Sequence, residues 1–328
     1  MGAFKRAWDA TRRASRIWGN PRLTGNESRS GASNLEINDG SAQLPSFFVI
    51  GPPRTGTGWI HEILREHTNL PRFIKETRFF DTHFQRGLGW YQAHYECPAL
   101  NRPQGEVAPT YFASSLARER IASVIPWAKV VCVFRNPVER VLSLYRVKRA
   151  YGMIPWSFEQ AMLRDPELME SSKYAQHLQA WQDALGVERV RASVFEDLRD
   201  EPQSFVDGLA DFIGIPRFSL TPKQIRRIHG SDSMTEPRNY YRTHGATKVA
   251  DWCKARRLDR VVAAVKGSPL STLFLGGGAA FAQLPPEVST RLYTLFRPEV
   301  EALEGILNRD LSHWKLSAEC LETLKAIA

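Results

Sequence analysis

Three groups of residues in this chain have the types and spacing to do chemistry. In 51-GPPRTGTGW-59 the glycines let the backbone approach an anion, and the N–H groups opening a following helix point at it with the helix dipole behind them. Pro53, Arg54, Thr55, Gly56, Thr57, Gly58 and Trp59 are the candidate binding residues of that turn, and Arg54 is its only cation. A Walker loop needs Gly-Lys-Ser/Thr at its end, whereas here Gly56 is followed by Thr57 and Gly58, so nucleoside triphosphate hydrolysis loses its main support. In 134-FRNPVERVLSLY-145, Arg135 follows an apolar run and Ser143 stands two turns into a helix opened by Asn136 and Pro137. An arginine fork and a hydroxyl so placed can converge on a second phosphate. The third group is Lys75 and Glu76 in 75-KETRFFD-81, with Tyr174, His177 and Trp181 at i, i+3 and i+7. Taken singly, each has a plainer reading: a tight turn, a surface arginine with a packing serine, a solvated glutamate, an aromatic core stripe.

These groups need elements to position them. The runs 46-SFFVI-50, 129-KVVCVF-134 and 189-RVRASVF-195 lack polar alternation, as strands buried on both faces of a parallel sheet do. Helical patterns lie between them: Ile60, Ile63, Leu64 and His67 share one face, as do Val138, Val141, Leu142 and Tyr145. The alternation predicts an α/β fold with ligand groups at the carboxyl ends of the strands. Toward the end, residues 287–307 read as an amphipathic helix with a kink or break at Pro298.

The 328 residues carry a formal charge of +9, which favours an anionic partner without choosing among nucleotide, nucleic acid, acidic glycan and membrane surface. Cys97, Cys132, Cys253 and Cys320 are widely spaced and read as reduced packing residues, so neither a metal site nor a disulfide frame is expected. No apolar run reaches membrane-spanning length and the N-terminus lacks a signal-peptide core, so a soluble, cytoplasmic protein is expected. Residues 1–19 mix Phe4, Trp8, Ile17 and Trp18 with five Lys and Arg, which reads either as a membrane-touching basic helix or as a loosely docked tail. With the Asn/Ser/Gly-rich stretch after them they form an N-terminal segment, 1–45, ahead of a domain at 46–328.

Together the glycine-rich turn and the Arg135/Ser143 segment resemble the two nucleotide motifs of the sulfotransferases that use 3′-phosphoadenosine 5′-phosphosulfate (PAPS). Four further segments, 75–81, 106–112, 174–181 and 302–314, are similar to the branch that includes the heparan sulfate sulfotransferases and bacterial relatives. The resemblance implies a three-layer P-loop-like α/β fold with a central parallel sheet flanked by helices. It implies that the turn holds the 5′-phosphosulfate of PAPS and that Arg135 and Ser143 hold its 3′-phosphate, with no metal required. By the same resemblance Glu76 is the general base, Lys75 orients the acceptor or the sulfonate, and His177 is a second acid/base candidate. Arg54 stands where relatives carry lysine and Gly58 where they carry Ser or Thr. Arg238 and Lys248 are positional candidates for closing the nucleotide site. The implied acceptor is a hydroxyl, or an amine, of a glycan or glycolipid, with a small-molecule, lipid or polyketide alcohol as the alternative. A P-loop small-molecule kinase, a nucleic-acid binder and a fold that binds nucleotide without turnover are the competing readings. No nucleic-acid partner is expected.

Overall fold

The computed structural model describes residues 44–316, apart from 73, 96–101, 229–234, 257, 259–261, 263–264 and 266–276. The N-terminal segment, Cys97 and Cys320 therefore lie outside the described residues.

The three apolar runs are strands: β1 (Phe47–Val49), β3 (Lys129–Phe134) and β4 (Val190–Val194). A fourth, β2 (Gly105–Val107), completes a parallel sheet of order β2-β1-β3-β4. The chain leaves β1 for β2 on one side and returns to β3 on the other. The end of β1 is thus the point where strand order reverses and where open α/β sheets bind ligands.

Because strand side chains alternate between faces, each strand feeds two cores. Phe48, Val130, Cys132 and Phe134 face one side, where they cluster with Tyr174, Leu178 and Trp181 of helix Tyr174–Leu185. Phe47, Val49, Val131 and Val133 face the other, where Ile60, Ile63 and Leu64 of α1 (Thr57–Leu64) meet Phe205, Val206 and Leu209. The expected three layers are there, with helices on both faces of a mostly apolar parallel sheet.

One local expectation needs correction and a second is narrowed. The helix after β1 ends at Leu64, so His67 is not on its face but stacks on Phe218 at 3.6 Å. Helix Pro286–Leu307 runs through Pro298 without a break. Proline costs it one backbone hydrogen bond, but Leu292, Phe296, Val300 and Leu303 are buried on both sides of that position, and this burial holds the turns together.

Candidate functional site

β1 ends at Val49, and the chain passes through Ile50 and turns through residues 51–56 into α1. Gly56 has φ 91°, a left-handed conformation that glycine adopts without a steric penalty, and its carbonyl accepts the N–H groups of Trp59 and Ile60. Arg54 is also left-handed, at φ 77°, which is uncommon for a residue with a side chain. The strained turn sends Arg54 across to the second motif, where its Nε donates to Ser143 Oγ at 2.9 Å. The two phosphate-type motifs, 89 residues apart, therefore touch. Thr55 differs from expectation: its hydroxyl donates to the Pro52 carbonyl at 2.8 Å and closes the turn from a fully buried position.

The second motif forms as the sequence predicts. Asn136 caps helix α2 (Pro137–Ala150) by accepting the Val138 N–H at 3.0 Å, with Pro137 at the first helical position. Arg135 sits at the junction of β3 and α2, its guanidinium 5.0 Å from the Phe195 ring centroid. Nε and Nη2 donate to Glu139 at 3.0 and 2.8 Å, and the Tyr174 hydroxyl donates to the Arg135 carbonyl at 2.9 Å. Nη1 has no hydrogen-bond partner among the described residues, and Arg135 lines the cleft.

That cleft has a volume of about 930 Å³. Pro53, Arg54, Gly56, Thr57, Gly58 and Trp59 line it on one side and Lys75 and Glu76 on another. Lys75 Nζ lies 3.7 Å from the Glu76 carboxylate. Burial pushes the Glu76 carboxyl above its ordinary range, and the neighbouring Lys75 and Arg78 charges pull it partway back. Burial pushes Lys75 the opposite way, below its ordinary range, and the Arg54 charge adds to that. A carboxylate with raised proton affinity beside an anion cradle can take a proton from a bound hydroxyl or amine.

Beneath Glu76 the structure holds a carboxylate that sequence reasoning did not single out. Glu106, on β2, is fully buried. Its Oε1 accepts the Thr77 N–H and the Thr77 hydroxyl, both at 2.7 Å, and its Oε2 accepts the Tyr91 hydroxyl at 2.8 Å and that of Tyr111 at 3.3 Å. Burial raises its pKa to about 7, against those hydrogen bonds, with the Glu76 charge adding a further push. No local signal marks Glu106, because its partners Thr77 and Tyr91 precede it by 29 and 15 residues and meet it only in the folded chain.

Helix α3 (Pro222–Ile228) was also missed. The Trp59 indole N–H donates to the Gln224 carbonyl at 2.8 Å, Arg227 pairs with Glu62, and Ile228 is buried in the core beside α1. Lys223 and Arg226 thereby join the cleft wall. Lys148 lines it too, held by Asp165 at 2.6 Å and by Glu167, another lining residue.

Other candidates are not brought to the cleft. His177 is buried behind Phe112, at 5.3 Å between ring centroids, with Nε2 3.4 Å from Glu170 Oε1. Tyr174 and Trp181 are fully buried beside it, so the stripe is core packing, as i, i+3, i+7 aromatics on a helix flanking a sheet usually are. Arg238 is exposed and its Nε donates to the Gly277 carbonyl at 2.8 Å, across a separate two-stranded ribbon, β5 (Thr235–Pro237) with β6 (Gly277–Ala280). Lys248 is exposed on helix α4 (Tyr240–Ala255) and does not line the cleft.

Known proteins are similar to this chain. The family model described as Sulfotransferase domain matches residues 44–249. The bifunctional heparan sulfate N-deacetylase/N-sulfotransferase 2 of Bos taurus is 29% identical over 207 residues, 56% of this chain and 23% of that protein. The heparan sulfate glucosamine 3-O-sulfotransferase 3A1 of Mus musculus is 28% identical over 200 residues, 58% of this chain and 51% of that protein. The chain thus spans about a quarter of the first relative and half of the second. A sulfotransferase structure from Alicyclobacillus acidocaldarius superposes with TM-score 0.60 at 20% identity, over 84% of this chain and all of that one, which shows a shared fold. With the matched domain covering well over half its length and holding the sheet, the turn and the cleft, this chain belongs to the sulfotransferase family.

Proposed function

We propose that this protein transfers a sulfuryl group from PAPS to a hydroxyl or amine of a carbohydrate or glycolipid acceptor. The observation that carries this reading is the single cleft that joins a left-handed glycine turn, Arg135 and the Lys75–Glu76 pair, with Arg54 hydrogen-bonded to Ser143 between the two anion motifs.

The turn suits a 5′-phosphosulfate. A Cβ built on Gly58 meets nothing within 4 Å, so there is room above the first turn of α1 where its free N–H groups point. Arg135 Nη1 and the Ser143 hydroxyl proton remain to meet the 3′-phosphate. In the transfer, Glu76 accepts the proton of the acceptor as its oxygen or nitrogen bonds to sulfur; the bond from sulfur to the bridging phosphate oxygen breaks, and 3′,5′-adenosine bisphosphate leaves with the electron pair. Arg54 neutralises that departing oxygen by charge and hydrogen bonding, without handing over a proton as lysine can. Lys75 keeps Glu76 oriented and tempers its proton affinity. The glycan acceptor is supported by the two heparan sulfate relatives, whose names are those of an N- and an O-sulfotransferase respectively.

Calorimetry without added metal, comparing 3′,5′-adenosine bisphosphate, ATP and AMP, tests the donor half. Preference for the bisphosphate is expected; preference for ATP with magnesium would replace this reading by a kinase. Labelled sulfate transfer from PAPS onto N-deacetylated heparosan, against a simple lipid alcohol, tests the acceptor half.

A further inference from the structure

Helix α4 (Tyr240–Ala255) lies outside the cleft, and its two faces differ sharply. One face is docked: Thr243 is buried, His244 Nδ1 donates to the Gly152 carbonyl at 2.8 Å, and the Thr247 hydroxyl donates to the Tyr151 backbone carbonyl at 2.6 Å. Gly152, at φ 63°, lets the α4 backbone come within a distance at which any Cβ there would collide with His244. That close contact fixes the helix rotation. What then faces outward is Tyr241, Gly245, Lys248, Val249, Trp252 and, just past the helix end, Arg256, all exposed. Three of these are large and apolar or aromatic: Tyr241 is 83% exposed, Val249 62% and Trp252 52%.

Single exposed apolar residues are ordinary, but a stripe of them on one helix, interleaved with cations, is not. Lys248 lies within the stripe, Arg242 beside it, and the Arg256 guanidinium sits 4.2 Å from the Trp252 ring centroid. The acid exposed on this helix, Asp251, falls off the stripe. Trp and Tyr have an apolar body with a polar tip, and Lys and Arg have an apolar stem with a charged head; both fit the boundary between lipid headgroups and acyl chains. We propose that the outward face of α4 docks on an anionic lipid surface, with Tyr241, Val249 and Trp252 inserted among the headgroups and Arg242, Lys248 and Arg256 meeting the lipid phosphates.

Charge complementarity selects this occupant. A second copy of the chain placed symmetrically would bring a net-positive patch against itself. A soluble polyanion would use the three cations but would leave Val249 and Trp252 in water. No helix among the described residues is long and apolar enough to cross a membrane, so contact here is of the surface kind. The docked face of α4 rests on Gly152, whose neighbour Met153 lines the cleft, so the docking surface adjoins the site. The inference does not depend on which group the site transfers.

The test is flotation of the full chain with vesicles of phosphatidylcholine alone or mixed with phosphatidylglycerol. Wild type is expected to float with the mixed vesicles, less as salt rises, and to remain in solution with the neutral ones. Val249→Glu with Trp252→Glu is expected to lower partitioning by about tenfold or more, and Lys248→Ala with Arg256→Ala to lower it and flatten the salt dependence. Unchanged melting temperatures and unchanged affinity for 3′,5′-adenosine bisphosphate show that the variants fold. The proposal is overturned if wild type does not float, if neutral vesicles capture it equally, or if the variants float as well as wild type, which would move the contact to another part of the chain such as residues 1–19. Sedimentation equilibrium showing a dimer that the Glu variants dissociate, with no flotation, would reassign the face to a second copy.

Discussion

Glu106 grips Thr77 twice, by its backbone N–H and by its hydroxyl, each at 2.7 Å, and Thr77 is the residue next to Glu76. A buried carboxylate on the edge strand β2 thus holds the backbone from which the proposed base projects. Replacing Glu106 by Leu removes both acceptors and is expected to lower kcat by ten- to a hundredfold, since small misplacements at a reacting centre are costly. Affinity for 3′,5′-adenosine bisphosphate should stay within a few-fold, and Glu106→Gln should recover most of the loss. Steady-state kinetics beside calorimetry reads this split; parallel losses in both would mean that Glu106 merely supports the fold.

The same residue makes stability depend on pH. Burial carries the Glu106 pKa from 4.5 to about 7, so the folded state binds a proton more tightly than the unfolded chain does. Its contribution is therefore most favourable below 4.5 and is lost as pH rises to about 7, a change on the order of 3 kcal/mol. Glu106→Gln mimics the protonated form. Urea titrations at pH 5 and pH 8 should show the variant gaining on wild type at the higher pH; a constant difference would contradict the assignment.

Lys75 sets where Glu76 titrates. Burial raises the Glu76 pKa and the Lys75 charge lowers it. Lys75→Met should therefore move the acid limb of the kcat/KM profile to higher pH, because the base must lose its proton to act. A limb that stays in place would separate Glu76 from the proton transfer.

Arg135 and Ser143 should weigh unequally in nucleotide binding. Removing a guanidinium from a phosphate leaves a charge unmet, and Arg135→Ala is expected to weaken 3′,5′-adenosine bisphosphate by about 30-fold or more. Ser143→Ala removes a neutral hydroxyl and also frees Arg54 Nε, with an expected loss of about tenfold. AMP, which lacks the 3′-phosphate, should bind wild type and Arg135→Ala alike. Equal losses for AMP and the bisphosphate would place Arg135 elsewhere.

The turn glycines differ in the same way. Gly56 is left-handed, and a Cβ there would press on Leu198 at 3.1 Å, so Gly56→Ala should cost about 1–2 kcal/mol and weaken the donor site. Gly58 opens into space, and Gly58→Ser should be tolerated, gain a few tenths of a kcal/mol in helix stability and tighten the bisphosphate by adding a hydroxyl. Thermal melts with and without the bisphosphate check both.

The sequence by itself determined whatever rests on local pattern. Unbroken apolar runs can only be satisfied by burial on both faces, which makes them parallel strands, and Asn136-Pro137 starts a helix because the cap and the fixed φ act within three residues. The glycine turn was legible for the same reason. Tertiary structure decided what depends on distant partners. It drew Arg54 to Ser143 across 89 residues and Trp59 to Gln224 across 165, it withdrew His177 into the core, and it placed Glu106 under Thr77. A titratable side chain carries no local sign of whether it will line a cleft or fill an interior, because that is settled by which surfaces the packed layers leave open to water.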